Sequence, residues 1–224
     1  MIKIEEITNT IICEDCLKIL PQLPDQSIKL IFCDMPYNNN CSYDLYEDNL
    51  SKGDYKEWCK KWFLECRRVA KRVIITPGHG NLWMWGEIEK PFGVGAWYKP
   101  GNPASSVLGW CTWEPWLFYS TDRKILGGPD TIRATVTKQK GVGDHPCPKP
   151  LDLIEQLIKK TTKENDIVLD PFNGSGTTCL AALKNNRKYI GVDISENYCN
   201  IARERCKNFL DKNIDLFEET KNGE

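Results

Sequence analysis

Apolar and polar residues follow two periods along this chain, and the places where the period changes divide it. TIIC (10–13) and IKLIFC (28–33) are short apolar runs rich in β-branched residues, the pattern of strands buried on both faces. Asp15 lies just past the first and Asp34 just past the second. Tyr55, Trp58, Cys59, Trp62, Cys66 and Val69 then recur at helical spacing among lysines and arginines, which predicts an amphipathic helix over 54–71 lying on a sheet. RVIIT (72–76) predicts the next strand, closed by Pro77 and Gly78. A β-α-β alternation of this kind implies parallel pairing.

Between Gly80 and Asp144 helical periodicity is lost, and six of the eight tryptophans crowd in: Trp83, Trp85, Trp97, Trp110, Trp113 and Trp116. VGAWY (94–98) and PWLFYS (115–120) predict strands that continue the sheet, while 123–143 reads as an exposed loop. Most of these tryptophans are expected in the core, with one or two left for a ligand. The earlier rhythm then returns: a helix over 151–162 opened by Pro150, a strand over 166–170, a helix over 176–186, a strand over 187–193, and a helix capped by Ser195. From Asp211 onward five acids face two lysines, and this tail is expected to fray. The pattern predicts one α/β domain over 1–211 with a doubly wound, mostly parallel sheet. Its parts are a first half (1–79), an insertion (about 80–144) and a second half (145–211), followed by an acidic tail (212–224).

The composition narrows this picture without changing it. With 224 residues, 41% of them hydrophobic, and a net charge of -1, the chain is neither disordered nor globally polybasic. A polyanion would therefore need a local basic surface. Arg67, Arg68, Lys71 and Arg72 could form one, or could be solvated charge; Arg123, Lys124, Arg133, Lys138, Lys140 and Lys149 are further candidates. No apolar run approaches the ~20 residues of a membrane helix, and the N-terminus has no leader-like pattern, so a cytoplasmic location is expected. Eleven scattered cysteines suit a reducing compartment. Cys13 and Cys16 form a CxxC without a second, and His79 and His145 are the only histidines, so no metal site is expected.

Two segments carry candidate chemistry. DPFNGSGTT (170–178) sits between a strand and a helix: Asp170 ends the strand, Gly174 and Gly176 permit a tight turn close to a ligand, and Thr177 opens the helix. Asp193, ending the next strand, would lie beside this loop as an acceptor for ribose hydroxyls, so a nucleoside cofactor is implied. A nicotinamide dinucleotide is one candidate, although Cys179 stands where a third glycine would be. The second segment is IFCDMPYN, which puts Asp34, Met35, Pro36 and Tyr37 in a turn at the carboxyl end of a strand. A carboxylate beside an aromatic face can hold a planar base by its amino group; alternatively, the tyrosine merely covers the sheet edge.

Taken in order, ICEDCLKILPQLPDQSIKLIFCDMPYN, HPCPKPLDLIEQLI and IVLDPFNGSGTTCLAALKNNRKYIGVDISENYCNIA resemble the β-type amino-methylating DNA methyltransferases, the adenine-N6 and cytosine-N4 group. The resemblance spans about two thirds of the chain. It implies S-adenosylmethionine as methyl donor, a base flipped out of double-stranded DNA as acceptor, and target recognition by the insertion, with a second protomer as a way to double the contacts. Asp34 would accept a hydrogen bond from the exocyclic amine, the main-chain carbonyl of Met35 a second, Tyr37 would stack on the base and Asn38 would support the loop. Most members have proline where this chain has Met35, so the turn loses a fixed φ. Phe172, Gly174, Gly176 and Thr177 would line the methionine and ribose parts of the cofactor, with Asp170 at the head of their loop. Asp193 would take the ribose hydroxyls, Asp15 would lie near the adenine, and Lys149 could face the cofactor carboxylate. His145 would either touch the ligand or serve structure beside Pro146. Arg123, Arg133, Lys138 and Lys140 would hold phosphates. In the family an aspartate at position 34 goes with adenine and a serine with cytosine, so adenine N6 is the expected target and cytosine N4 the alternative. A catalytically idle binding module, and a methyltransferase for RNA or a protein amide, are the more distant alternatives.

Overall fold

The computed structural model describes residues 2–101, 104–106, 108–122, 127–136, 141–143 and 146–222, with the backbone alone for 104–106 and 213–222. Its centre is an eight-stranded sheet in the spatial order β1-β10-β9-β2-β3-β7-β4-β8. These strands are β1 (Thr10–Cys13), β2 (Ile28–Cys33), β3 (Ala70–Ile75), β4 (Gly93–Tyr98), β7 (Trp113–Ser120), β8 (Thr131–Arg133), β9 (Ile167–Asp170) and β10 (Lys188–Asp193). A separate hairpin pairs β5 (Ala104–Ser106) with β6 (Gly109–Cys111). From β1 through β10, β9 and β2 to β3 every pairing is parallel, whereas β7 runs antiparallel to both β3 and β4. The parallel strands have nearly continuous apolar burial, as strands covered on both faces require.

Helices cover both faces. On one side α3 (Lys52–Val69) buries Tyr55, Cys59, Trp62, Phe63, Cys66 and Val69, with Ser51 capping its first turn through the Asp54 N–H. The other side holds α5 (Leu151–Thr161), α6 (Thr177–Lys184) and α7 (Glu196–Asn222). Leu153, Ile154, Leu157 and Ile158 of α5 are fully buried there, each worth roughly 2 kcal/mol in apolar burial. Short helices α1 (Ile4–Ile7), α2 (Cys16–Ile19) and α4 (Leu82–Ile88) complete the set.

Four sequence expectations change. The insertion contains a helix, α4, whose Trp85 is fully buried against Trp62 and Phe63; seven residues are too few for a legible period. Inside the expected loop 123–143 lies β8, three residues that bury only Ile132 and pair with β4. The tail is helical in this structure: α7 continues to Asn222, and its acids, lysines and leucines are adequate helix formers. Of the cluster at 67–72 only Lys71 is exposed charge, and the three arginines are paired. Arg67 pairs with Glu89, Arg68 with Asp25 and Glu65, and buried Arg72 with Asp122 and the Thr161 carbonyl.

All eleven cysteines are free. Among the described residues no His, Cys, Asp and Glu cluster could hold a metal ion, and no helix is long and apolar enough to cross a membrane.

Candidate active site

Strand order fixes the site. β9 and β2 are neighbours in the sheet although far apart in sequence, so the chain winds outward in both directions from the gap between them. That is the switch point where an open α/β sheet leaves a crevice at its carboxyl ends. Asp34 follows β2, Asp170 ends β9, Asp193 ends β10 and Asp15 lies two residues past β1, so all four acids share this edge.

Three cavities occupy it. The first, of ≈ 160 Å³, is lined by Asp15, Pro36, Trp58, Phe172, Gly174 and Asp193, with Tyr43 to Tyr46 and Ser195 across from them. The second, of ≈ 820 Å³, is bounded by Asp34, Met35, Tyr37, Trp97, Lys99, Glu114 and Lys149, among others. A narrow passage of ≈ 30 Å³ borders both, sharing Phe172 and Gly174 with the first and Asp34 and Lys149 with the second. The stretches 34–37 and 172–174 thus converge on one crevice.

In the first cavity the acids shape the backbone. Asp193 accepts the Gly174 N–H at 2.7 Å and the Ser195 N–H at 2.9 Å, and its burial raises its pKa. Asp15 caps α2 through the Leu17 N–H at 2.8 Å. Asp170 accepts the Phe172 N–H at 2.9 Å, and burial pushes its pKa up to about 7 against the opposing pull of its hydrogen bonds from Thr178 and Phe172. The Phe172 ring rests on Trp58 and Trp62, at 5.6 and 4.9 Å between centroids. Gly174 lies in the left-handed region (φ 47°) and borders the cavity. Gly176 (φ 81°) lines none of the three cavities: a Cβ there would stand 2.6 Å from the Ala202 Cβ, so α7 rather than a ligand demands this glycine. Thr177 borders the passage, and Arg205 of α7 steadies the loop by donating to the Ser175 carbonyl at 2.6 Å.

In the second cavity side chains pair with one another. Asp34 Oδ1 accepts from the Thr76 hydroxyl at 2.6 Å and the Tyr37 hydroxyl at 2.9 Å, and lies 2.9 Å from the Lys149 ammonium. Lys149 Nζ also sits 4.9 Å from the centroid of the Tyr37 ring. Burial alone would lower the Lys149 pKa, but Asp34, Tyr37 and Glu114 outweigh it and the pKa is raised; burial, then Asp34, raises that of Tyr37. Lys149 therefore stands on the Asp34 carboxylate, at the junction of passage and large cavity, and not only along the cofactor side where its sequence context put it. Opposite, buried Lys99 pairs with Glu114 at 2.7 Å over the Trp97 ring.

The turn itself is anchored from several sides. Tyr55 donates to the Pro36 carbonyl at 2.7 Å, Asn81 to the Tyr37 carbonyl at 2.9 Å, and Asn38, at φ 59°, bonds Leu50. Asp48 accepts the main-chain N–H groups of Asn38, Asn39 and Cys41. Met35 is 1% exposed and packs in the core, which supplies by burial the constraint that a proline ring would supply by covalent geometry.

The family model described as DNA methylase matches residues 28–76 and 78–204, a span that contains Asp34, Lys149, Gly174 and Asp193. The chain belongs to the DNA methylase family. Among curated relatives of this DNA methylase, the Type II methyltransferase M.HpaI of Haemophilus parainfluenzae is 30% identical over 231 residues, covering 87% of this chain and 73% of that protein. M.HinfI of Haemophilus influenzae is 26% identical over 257 residues, covering 91% and 70%. Among solved structures, the PvuII DNA methyltransferase (cytosine-N4-specific) superimposes with a TM-score of 0.69 at 20% identity, over 87% of this chain and 85% of that one. The M1.HpyAVI–SAM complex does so at 0.64 and 23%, over 88% and 98%. The likeness in structure establishes a shared methyltransferase fold.

Sequence reasoning missed Thr76, Trp58, Lys99, Glu114 and Arg205, which have no motif and reach the site only through strand register or helix packing. Of the residues expected to meet phosphates, Arg133 lies exposed on the edge strand β8, while Arg123, Lys124, Lys138 and Lys140, like His145, fall outside the described residues. The tryptophans divide evenly: Trp85, Trp97 and Trp116 are buried, whereas Trp83, Trp110 and Trp113 are exposed at 81%, 75% and 40%, one more than expected.

Proposed function

We propose that this DNA methylase transfers the methyl group of S-adenosylmethionine to the exocyclic N6 of an adenine turned out of duplex DNA. The observation that carries the reading is the narrow passage: Phe172 and Gly174, shared with the small aromatic-walled cavity, and Asp34, shared with the wide one, line the same small space. S-adenosylmethionine, when bound, supplies a methyl group activated by a sulfonium charge. The small cavity suits its nucleoside part: Phe172 and Trp58 present apolar faces, and Asp193 keeps acceptor capacity beyond its two backbone donors.

An aromatic amine is a weak nucleophile because its lone pair is delocalised, so the site needs positioning and charge stabilisation more than a strong base. Asp34 accepts one amine N–H and the Met35 carbonyl the other, which draws the nitrogen toward tetrahedral geometry and favours the positive charge that develops on it. Tyr37 stacks on the extruded ring and recovers part of the few kcal/mol that unstacking costs. The proton leaves the nitrogen last. Exposed Trp110 and Trp113, on and beside the β5–β6 hairpin, are the rings available to pack the opened duplex. An aspartate at position 34 supports adenine over cytosine. Nucleoside mass spectrometry of DNA from cells expressing the chain tests this: N6-methyladenine is expected, and N4-methylcytosine without it would overturn the choice of base.

A further inference from the structure

The two oxygens of Asp34 are not equivalent. Three donors converge on Oδ1: the Thr76 hydroxyl at 2.6 Å, the Tyr37 hydroxyl at 2.9 Å and the Lys149 ammonium at 2.9 Å. The two hydroxyls fill the lone-pair directions of this oxygen, and the ammonium adds an ion pair to it. No donor among the described residues meets Oδ2. We infer that Thr76 is a positioning residue which, together with Lys149 and the Tyr37 hydroxyl, clamps Asp34 through Oδ1 and dedicates Oδ2 to the target amine; this rests on the function proposed above.

Register puts Thr76 there. Cys33 of β2 pairs with Ile75 of β3, so the residue after β3 stands beside the residue after β2. Thr76 is 2% exposed, a place where valine would pack equally well, yet it carries a hydroxyl. That hydroxyl has one proton to give. Asp34 Oδ1 lies at 2.6 Å and the Cys33 carbonyl at 3.4 Å, so the shorter bond takes it. The Thr76 N–H meanwhile donates to the Cys33 carbonyl at 3.1 Å, which fixes the backbone from which the hydroxyl acts. Turning the carboxylate about its Cβ–Cγ bond would break two hydrogen bonds and an ion pair at once. Because the Tyr37 hydroxyl binds the same oxygen, the plane on which the base stacks and the direction of the amine acceptor are set together. Displacement of a reacting group by about 1 Å can cost two orders of magnitude in rate.

Thr76→Val keeps the shape and removes the hydroxyl, and Thr76→Ser keeps the hydroxyl and removes the methyl. In steady-state methyl transfer to duplex DNA, Thr76→Val is expected to lower kcat by about 10- to 100-fold, with KM for cofactor and DNA within about two-fold of the unaltered chain. Thr76→Ser is expected to recover kcat to within about three-fold, which a purely structural threonine would not predict. Should Thr76→Val fail to fold, Thr76→Ala carries the same expectation, with cofactor affinity as the measure of an intact fold. Unchanged kcat in Thr76→Val, or equal losses in Val and Ser, would overturn the assignment while the proposed function stands. Absence of methyl transfer by the unaltered chain would overturn both.

Discussion

The acids on the two sides of the crevice do different work. On the cofactor side Asp15, Asp170 and Asp193 each accept a main-chain N–H and so shape the loops that leave β1, β9 and β10. On the target side Asp48 does the same for Asn38, Asn39 and Cys41, but Asp34 and Glu114 pair directly with lysines, Lys149 and Lys99, at the wall of a cavity of ≈ 820 Å³ against ≈ 160 Å³. A backbone donor has nowhere else to go, so the small cavity is preset. An ammonium on a flexible stem can exchange partners, so the large cavity can admit a varied guest. One half is moulded to a single ligand, and the other is adjustable.

Four substitutions test that contrast. The largest effect is expected where the halves meet: Asp34→Ala should lower methyl transfer by about 10²- to 10³-fold while calorimetric cofactor affinity stays within about two-fold, because in the proposed function Asp34 touches the acceptor and not the donor. A comparable loss of cofactor binding would erase the distinction. Asp193→Ala should do the reverse, weakening cofactor binding by about 10- to 100-fold by removing the acceptor and freeing the Gly174 N–H, with the affinity for DNA alone unchanged.

Asp170 gives a pH signature confined to the cofactor side. Its pKa is raised to about 7 by burial, so the folded chain holds a proton that the unfolded chain releases near its ordinary value of about 4. Stability on this account falls as pH rises through that window. The Tm of the unaltered chain should decline from about pH 4 to about pH 7, and Asp170→Asn should flatten the decline. An identical slope in the variant would show that Asp170 is ionised throughout. Smallest is Trp110→Ala, expected to weaken duplex binding by about three- to ten-fold in a fluorescence titration, with cofactor affinity untouched. An unchanged duplex affinity would remove the hairpin from the target side.

The same contrast explains what the sequence made legible. The strands β1, β2, β9 and β10 are short apolar runs with an acid at or just beyond the end, and the glycine loop lies in one continuous segment, so periodicity and local motif reveal them. The wall of the large cavity comes from separate places: Lys99 after β4, Glu114 on β7 and Lys149 before α5, with Thr76 after β3 bonded to Asp34 behind it. Of these only Lys149 lies in a legible motif, and the others depend on which strands become neighbours. β7 sits between β3 and β4 in an antiparallel arrangement that no period announces. Gly176 shows the opposite limit: its place in the motif suggested ligand contact, but only the approach of Ala202 reveals why a side chain is excluded. The basic run at 67–72 failed as a guide because its partners, Asp25, Glu89 and Asp122, are remote in sequence.

Met35 lends the catalytic turn its stiffness by packing, and packing is shared property. A ring-locked turn would keep its shape until the whole chain melts. Here, loosening the layer beneath Met35, by warming or by trimming a side chain such as Trp62, should slacken the turn while the rest stays folded. Turnover would then fade at a lower temperature than the fold itself, making this enzyme's working range narrower than its melting point suggests.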